Sequence, residues 1–548
     1  MRSKTHRGRT HAPRLTRLRK AALIVASTLS LTSLASLTTL SGCGDAETLA
    51  PMVLLPTGTA GRSLVFVDST SHTATLLDTD DLSADPMRIA LPPKPQPLVT
   101  RPGAEGETLV LCRGQGDDSE TTADAPALVV LNATGEARRY PLGSSFNAMT
   151  VSDDGKYAML FFDGTATTGS LIFNPNEIAI VDLSREATDD DNPRSRTLRS
   201  FGRAPTRIEF SPAIQVGGIA RHLAVVLFDT VVLLVDLDHL DRPEYTIELA
   251  TSTTRSIDLT QVVFDAERGR LYVRGTASTD VYVITLNDIA AEAGENDFVP
   301  SLNQLGIGAA PIDMALYDAG DAPRLLTITS GARAVIVDTD TSRTTSITLP
   351  VTATSIAVFT ATSPFDPALE QRALLYAEGT ARVMFLDLRD VEERGARNLE
   401  SLTIQSVYTR FTPLADNLVL LPHQSNGLSV LDLEERTASP IRSSLNLGSA
   451  LPDPGADKLW VAPSGQSQLA FLDLRDFHPG AIDLKRPIRE VVILPGNTDA
   501  APSLAVVHAS SVGHVTIINS DDPTDLESAT AARGFLFHDI LNDEEQSR

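Results

Sequence analysis

Ten times along its 548 residues the chain returns to one short phrase, a run of apolar residues closed by Asp, Asn or Thr. The closing positions are Asp78, Asn132, Asp182, Asp236, Thr285, Asp338, Asp387, Asp432, Asp473 and Asn519, spaced 41–54 residues apart. The hexapeptide Phe-Leu-Asp-Leu-Arg-Asp occurs twice unchanged, at 385–390 and 471–476. A repeat of this period requires a fold built from copies of one small unit, because a single copy cannot bury its own apolar faces.

Residues 205–249 show what the unit contains. Four runs follow one another: Thr206–Phe210, Leu223–Phe228, Val231–Val235 and Tyr245–Leu249. The first and last alternate apolar with polar residues, the mark of a half-buried strand. The middle two are apolar throughout, the mark of a strand covered on both faces. The chain therefore reads as all-β, with about ten four-stranded antiparallel units, and this period and strand number predict a β-propeller. The aspartates at 78, 182, 236, 338, 387, 432 and 473 read as structural turn residues. Each ends a third strand, where its carboxylate can accept a backbone N–H two residues on. On that reading Asp236→Ala costs roughly 1 kcal/mol, the scale of one hydrogen bond, and abolishes no activity.

First strands are expected at 205–212, 311–317 and 353–359, with another at 149–155 ending in a turn. Second strands are expected at 64–67, 271–273, 374–376, 418–421, 459–461 and 504–507. These phrases resemble the YVTN family of β-propeller repeats and, more loosely, WD40-type blades, over about residues 51–541. The usual Tyr-Val-x-Asn opening is degenerate here, and the blade tryptophan is absent. Ten units exceed the four to eight blades of most rings. One large ring, two rings in tandem, or fewer true blades all satisfy the count. The absence of a Pro/Gly/Ser-rich linker favours one ring. Its closure would bring residues 51–55 beside 535–537, since an open edge invites aggregation.

Residues 2–20 hold eight basic residues and no acidic one. Residues 21–40 are uncharged, and Leu40-Ser41-Gly42-Cys43 follows. A basic, then apolar, then small-residue order describes an export signal. The last four residues resemble the lipobox of bacterial lipoproteins, which implies cleavage before Cys43 and lipid attachment to it. Gly44, rather than Asp, implies the outer membrane of a Gram-negative cell. The resulting division is a signal peptide at 1–42, a lipidated N-terminus and tether at 43–50, the propeller at 51–541 and a tail at 542–548.

Removal of residues 1–42 leaves 38 Lys and Arg against 70 Asp and Glu, a formal charge of −32. Such a surface repels nucleic acid and anionic lipid. With Cys43 lipidated, Cys112 has no disulfide partner, and its strand-like setting makes it a core residue. Residues 114–125 and 186–196 are acidic loops, 287–294 has a helix-like start, and 387–397 is highly charged. No phosphate-binding loop, His-Glu-x-x-His or Gly-x-Ser-x-Gly motif occurs. Residues 189–191, and Asp521 and Asp522 with Asp525, lack the spacing of a calcium loop. The closest histidines in the mature sequence, His508 and His514, straddle a turn and read as coincidental. No metal or cofactor is expected.

These features point to a non-catalytic scaffold, membrane-bound through its lipid anchor, that binds a protein partner or other ligand at the cell envelope through its loops. Two alternatives remain. The YVTN resemblance implies an enzyme of the lactonase or hydrolase type. The lipoprotein resemblance implies an accessory part of outer-membrane assembly.

Overall fold

The computed structural model describes residues 52–536 except 105, 116–122, 165–173, 190, 200–203, 250–256, 289–297, 321, 363–368, 415–416, 426, 443–449, 454, 464 and 497–501. The leader, the lipobox, Cys43, the tether, Phe537 and the tail lie outside the described residues.

The chain folds into ten four-stranded antiparallel sheets arranged in a ring, a ten-bladed β-propeller. Blades 1 to 10 span residues 58–90, 99–141, 148–197, 207–248, 259–306, 311–348, 355–403, 412–442, 450–483 and 488–533. Each sheet is a simple meander. Blade 4 adds a hairpin, Ile214–Val216 with Ile219–Arg221, between its first and second strands. The helical residues described are α1, Val391–Arg394, and the 3₁₀ turn Gly395–Asn398. Among the described residues no helix is long and apolar enough to cross a membrane.

Side chains on a strand alternate between its faces, and here both faces meet a neighbouring blade. Leu223, Val225 and Leu227 pack toward blade 5, while Ala224, Val226 and Phe228 pack toward blade 3. This is why the middle strands are apolar throughout. First strands of adjacent blades approach one another on the inside of the ring. Fourth strands such as Arg194–Thr197 and Leu399–Thr403 are largely exposed and form the rim.

Each of the ten seams between blades has its own hydrophobic cluster, from the eighteen buried residues between blades 4 and 5 to the five between blades 8 and 9. The tenth cluster joins Leu64, Phe66 and Leu77 of blade 1 to Leu494, Ala505 and Val507 of blade 10, with Met52 and Leu54 packed against it. The Phe66 and Phe535 rings lie 5.0 Å apart there. Arg489 Nη2 donates to the carbonyls of Leu54 and Leu55 at 3.0 and 2.8 Å. The Thr57 N–H donates to the Glu490 carboxylate at 3.1 Å. Arg62 reaches back to the Pro495 carbonyl at 3.0 Å and to Ser503 Oγ at 3.1 Å. A continuous set of ten seams leaves no place to divide the array into two rings.

Two expectations need correction. Asn287 does not begin a helix. It lies in the nine-residue strand Asp280–Asp288, opposite Val299, and its side chain donates to the Val299 carbonyl at 3.1 Å and Ser301 Oγ at 2.9 Å. The same strand runs three residues past Thr285, which therefore closes no turn.

Candidate functional site

The third strands of the other nine blades end on the Asp or Asn identified in sequence. In all nine, Oδ1 accepts the backbone N–H two residues on, at 2.9–3.2 Å. The meander places every third-to-fourth connection on one side of the ring, together with the first-to-second connections. We refer to this side as the turn face.

A second layer of bonds laces these turns together. In blades 1, 3, 5 and 9 the first residue of the second strand donates to the third-to-fourth connection of the next blade. Ser63 Oγ reaches the Ala133 carbonyl at 3.3 Å, Tyr157 Oη the Leu237 carbonyl at 2.9 Å, Arg270 Nη1 the Thr339 carbonyl at 3.2 Å, and Lys458 Nζ the Asp521 carbonyl at 3.2 Å. Arg324, one position further in, pairs with Glu392 of α1 at 2.6 Å. By accepting the N–H two residues on, Asn132, Asp236 and Asp338 turn the chain so that the carbonyl just after each faces the preceding blade, and Asn519 does the same for the second carbonyl on.

Asp236 does more than turn the chain. Its carboxylate pairs with Arg221 Nη1 at 3.0 Å, and the two side chains are 1% and 2% exposed. His239 Nδ1 lies at 3.3 Å and Arg242 at 4.0 Å. Arg221 ends the inserted hairpin and stacks its guanidinium 5.4 Å from the Phe298 ring of blade 5. The hairpin also bonds to blade 5 through Gln215 N to the Ala266 carbonyl, 2.8 Å. A cost of 1 kcal/mol for losing Asp236 is therefore too small, because its removal strands a buried cation.

Inside the ring, charged side chains converge on the first strands of blades 4 to 7. Arg207 pairs with Glu209 at 2.6 Å. Gln261 Nε2 donates to Asp313 Oδ1 at 2.7 Å and to the Met314 carbonyl at 3.0 Å, and Gln261 Oε1 accepts from Arg274 Nε at 2.6 Å. Asp313 Oδ2 takes the Ile356 N–H at 2.7 Å. Burial raises the Glu209 carboxyl above the usual range, against the pull of Arg207 and the Val262 N–H. Burial likewise lowers Arg274. Most of these bonds run from one blade to the next, so the cluster stitches inner strands.

Cys112 is fully buried, and burial pushes its thiol up to about 12, so it stays protonated. Among the described residues no three His, Cys, Asp or Glu side chains are placed to hold a metal ion. Asp189 pairs with Arg185 at 3.2 Å. Asn192 ties its loop to the backbone of Asp182 through two 3.0 Å bonds. His508 and His514, which looked coincidental in sequence, stack with ring centroids 4.5 Å apart, 2% and 4% exposed.

On the turn face, the connection after Asp78 carries exposed Asp80, Asp81 and Asp85. The connection after Asn519 carries exposed Asp521, Asp522, Asp525 and Glu527. Neither connection contains Lys or Arg, and they belong to blades 1 and 10, which adjoin across the closing seam. Arg62 offsets part of this charge by pairing with Asp80 at 2.6 Å.

No protein-family model matches the sequence, and no curated protein matches it. Among solved structures, dihydro-heme d1 dehydrogenase NirN in complex with DHE is similar at 13% identity and a TM-score of 0.38, over 78% of this chain and 74% of that one. A eukaryotic initiation factor is similar at 13% identity and 0.37, over 71% and 87%. Apo AztD from Citrobacter koseri is similar at 11% identity and 0.31, over 69% and 95%. Likenesses at these scores bear on neither activity nor partner.

Proposed function

We propose that this protein is a lipid-anchored, non-catalytic scaffold that binds a basic protein partner at the cell envelope through its turn face. The observation that carries the reading is the exposed acidic patch over blades 10 and 1, where two neighbouring connections hold carboxylates and no base. Charge of one sign on a rigid surface speeds encounter with a partner of the other sign, and salt weakens the effect. The laced turns supply rigidity, so little entropy is lost when the partner docks.

Tethering suits this arrangement. The described chain begins on the face opposite the turns, where the Leu55 N–H bonds to the Val67 carbonyl and Ser69 N–H to Val53, both at 2.9 Å. Residues 44–51 can reach roughly 30 Å when extended. Lipid on Cys43 would tether the propeller through the face on which the described chain begins, leaving the turn face free for a partner.

Three measurements test the proposal. Cys43→Ala should leave the protein unprocessed or released from membranes; a variant that keeps its apparent mass and stays with membranes after carbonate washing would remove the anchor. In envelope cross-linking, joint replacement of Asp80, Asp81, Asp521 and Asp522 by Asn should abolish a partner band that also weakens with salt. An unchanged band would remove the patch. Turnover of a lactone panel, lost on mutating Glu209 or Arg274, would replace binding with catalysis.

A further inference from the structure

We propose that His508 and His514 form an acid-sensitive latch on the seam where the ring closes. The two residues flank the hairpin between the second and third strands of blade 10, on the face opposite the turns. Their rings stack at 4.5 Å, tilted by 33°, and both are almost wholly buried. His508 Nε2 bonds to Thr516 Oγ1 at 2.9 Å. The carbonyls of Arg486 and Pro487 approach His508. Even so, Nδ1 of both rings is buried without a hydrogen bond of good geometry.

Burial and two arginines oppose a positive charge on both rings, and only the Arg486 and Pro487 carbonyls, at His508, favour one. Arg486, in the connection from blade 9, and Arg533, on the fourth strand, act on both imidazoles, and His508 also acts on His514. The turn at 465–466 of blade 9 and the terminal segment 534–536 contribute no titratable side chain. Burial is the largest influence on each ring. It holds His508 below the usual histidine range and takes His514 to about 4. Both rings are neutral near pH 7. Protonation would place an added charge against a second imidazole and two arginines, and among the described residues no carboxylate acts on either ring.

The hairpin passes this strain to the seam. Gly513 accepts the Gly534 N–H at 3.0 Å, and Val512 accepts the Leu536 N–H at 3.3 Å. A Cβ at Gly513 would lie 2.8 Å from Leu536 and 2.9 Å from Phe535, which shows how closely the terminal segment lies on the hairpin. Phe535 in turn packs on Phe66 of blade 1, and its carbonyl accepts Arg88 Nη2 at 3.4 Å. Loosening residues 508–514 therefore frees the strap that joins blade 10 to blade 1.

The sign follows from linkage. A histidine whose folded value is depressed leaves the unfolded chain binding more protons between the two values. Its contribution to stability is full above pH 6.5 and is lost as the pH falls toward 4. With the folded value of His514 at about 4, the opening equilibrium should rise about thirty-fold between pH 7.5 and pH 5.

Hydrogen exchange of the full-length chain at these two pH values, corrected for intrinsic rates, tests this directly. Protection in 505–519 and 530–536 should fall at least about tenfold more than in blade 5. The single tryptophan, Trp460, packs with Ile488, Leu504 and Val506 of blade 10 and should report the same change in fluorescence. His508→Gln with His514→Gln should remove the pH dependence, and His478→Gln should keep it. The proposal fails if exchange in blade 10 tracks blade 5 at both pH values, or if the double variant retains the wild-type profile. Should the double variant not fold, the wild-type exchange pattern alone decides.

Discussion

Asp236 and Asp338 occupy the same place in their blades and make the same Oδ1 bond to the N–H two residues on, at 3.0 and 2.9 Å. Asp338 to Ala should cost about 1–2 kcal/mol, two partly exposed hydrogen bonds, because Arg324, which it also pairs with at 3.4 Å, keeps Glu392 at 2.6 Å. Asp236 to Ala should cost about 3–5 kcal/mol, because Arg221 is left buried without its carboxylate. Chemical denaturation checks both, and equal costs would contradict the difference. Backbone N–H groups of Thr341 and Asp340 hold the Asp338 carboxyl below the usual range. Its contribution is therefore present above about pH 4 and is lost as the pH falls below that. The turns at Asn132 and Asn519 cannot titrate and should be unaffected. The turn residues were legible in the sequence because their chemistry is local, two residues long. The lacing was not, because Ser63 finds its acceptor 70 residues away and Tyr157 finds its own 80 away. The Arg221 pair was hidden in the same way, by a hairpin insertion that the apolar pattern does not mark.

The blade was the most legible element, since strands buried on both faces leave continuous apolar runs that periodicity detects. Blade 5 shows the limit of that method. Its outer strands run on for nine residues each, and cross-strand pairing overrode the helix-like composition after Thr285. Connections between strands also carry demands that only the structure reveals. Gly155 ends the first turn of blade 3 with φ +67°, and a Cβ there would fall 1.9 Å from the Pro102 carbonyl oxygen of blade 2. Gly218, at the tip of the inserted hairpin, has φ +82° and nothing within 4 Å of a Cβ. Gly218→Ala should cost about 1 kcal/mol, the conformational term alone. Gly155→Ala should cost about 3 kcal/mol or more, because strain and a backbone collision add. Thermal unfolding of the two variants compares them, and similar midpoints would show that the blade 2–3 contact gives way easily.

At the scale of the molecule, the number of units was readable, and the missing linker already favoured one ring closed by residues 51–55 beside 535–537, as Met52, Leu54 and Phe535 show. The polar bonds of that seam were not readable. Repeat spacing reports neighbours in sequence, while the seam that decides between one ring and two joins residues more than 400 positions apart, such as Thr57 with Glu490. No propensity or pattern links them. The closed ring also places the acidic connections of blades 1 and 10 side by side, so the proposed partner surface depends on closure. Electron cryomicroscopy of the purified full-length chain, averaged in views along the channel, tests this most directly. The account predicts one closed ring of ten blades, with density continuous between residues 58–68 and 503–536. Two smaller rings, or an arc open between those segments, would contradict it.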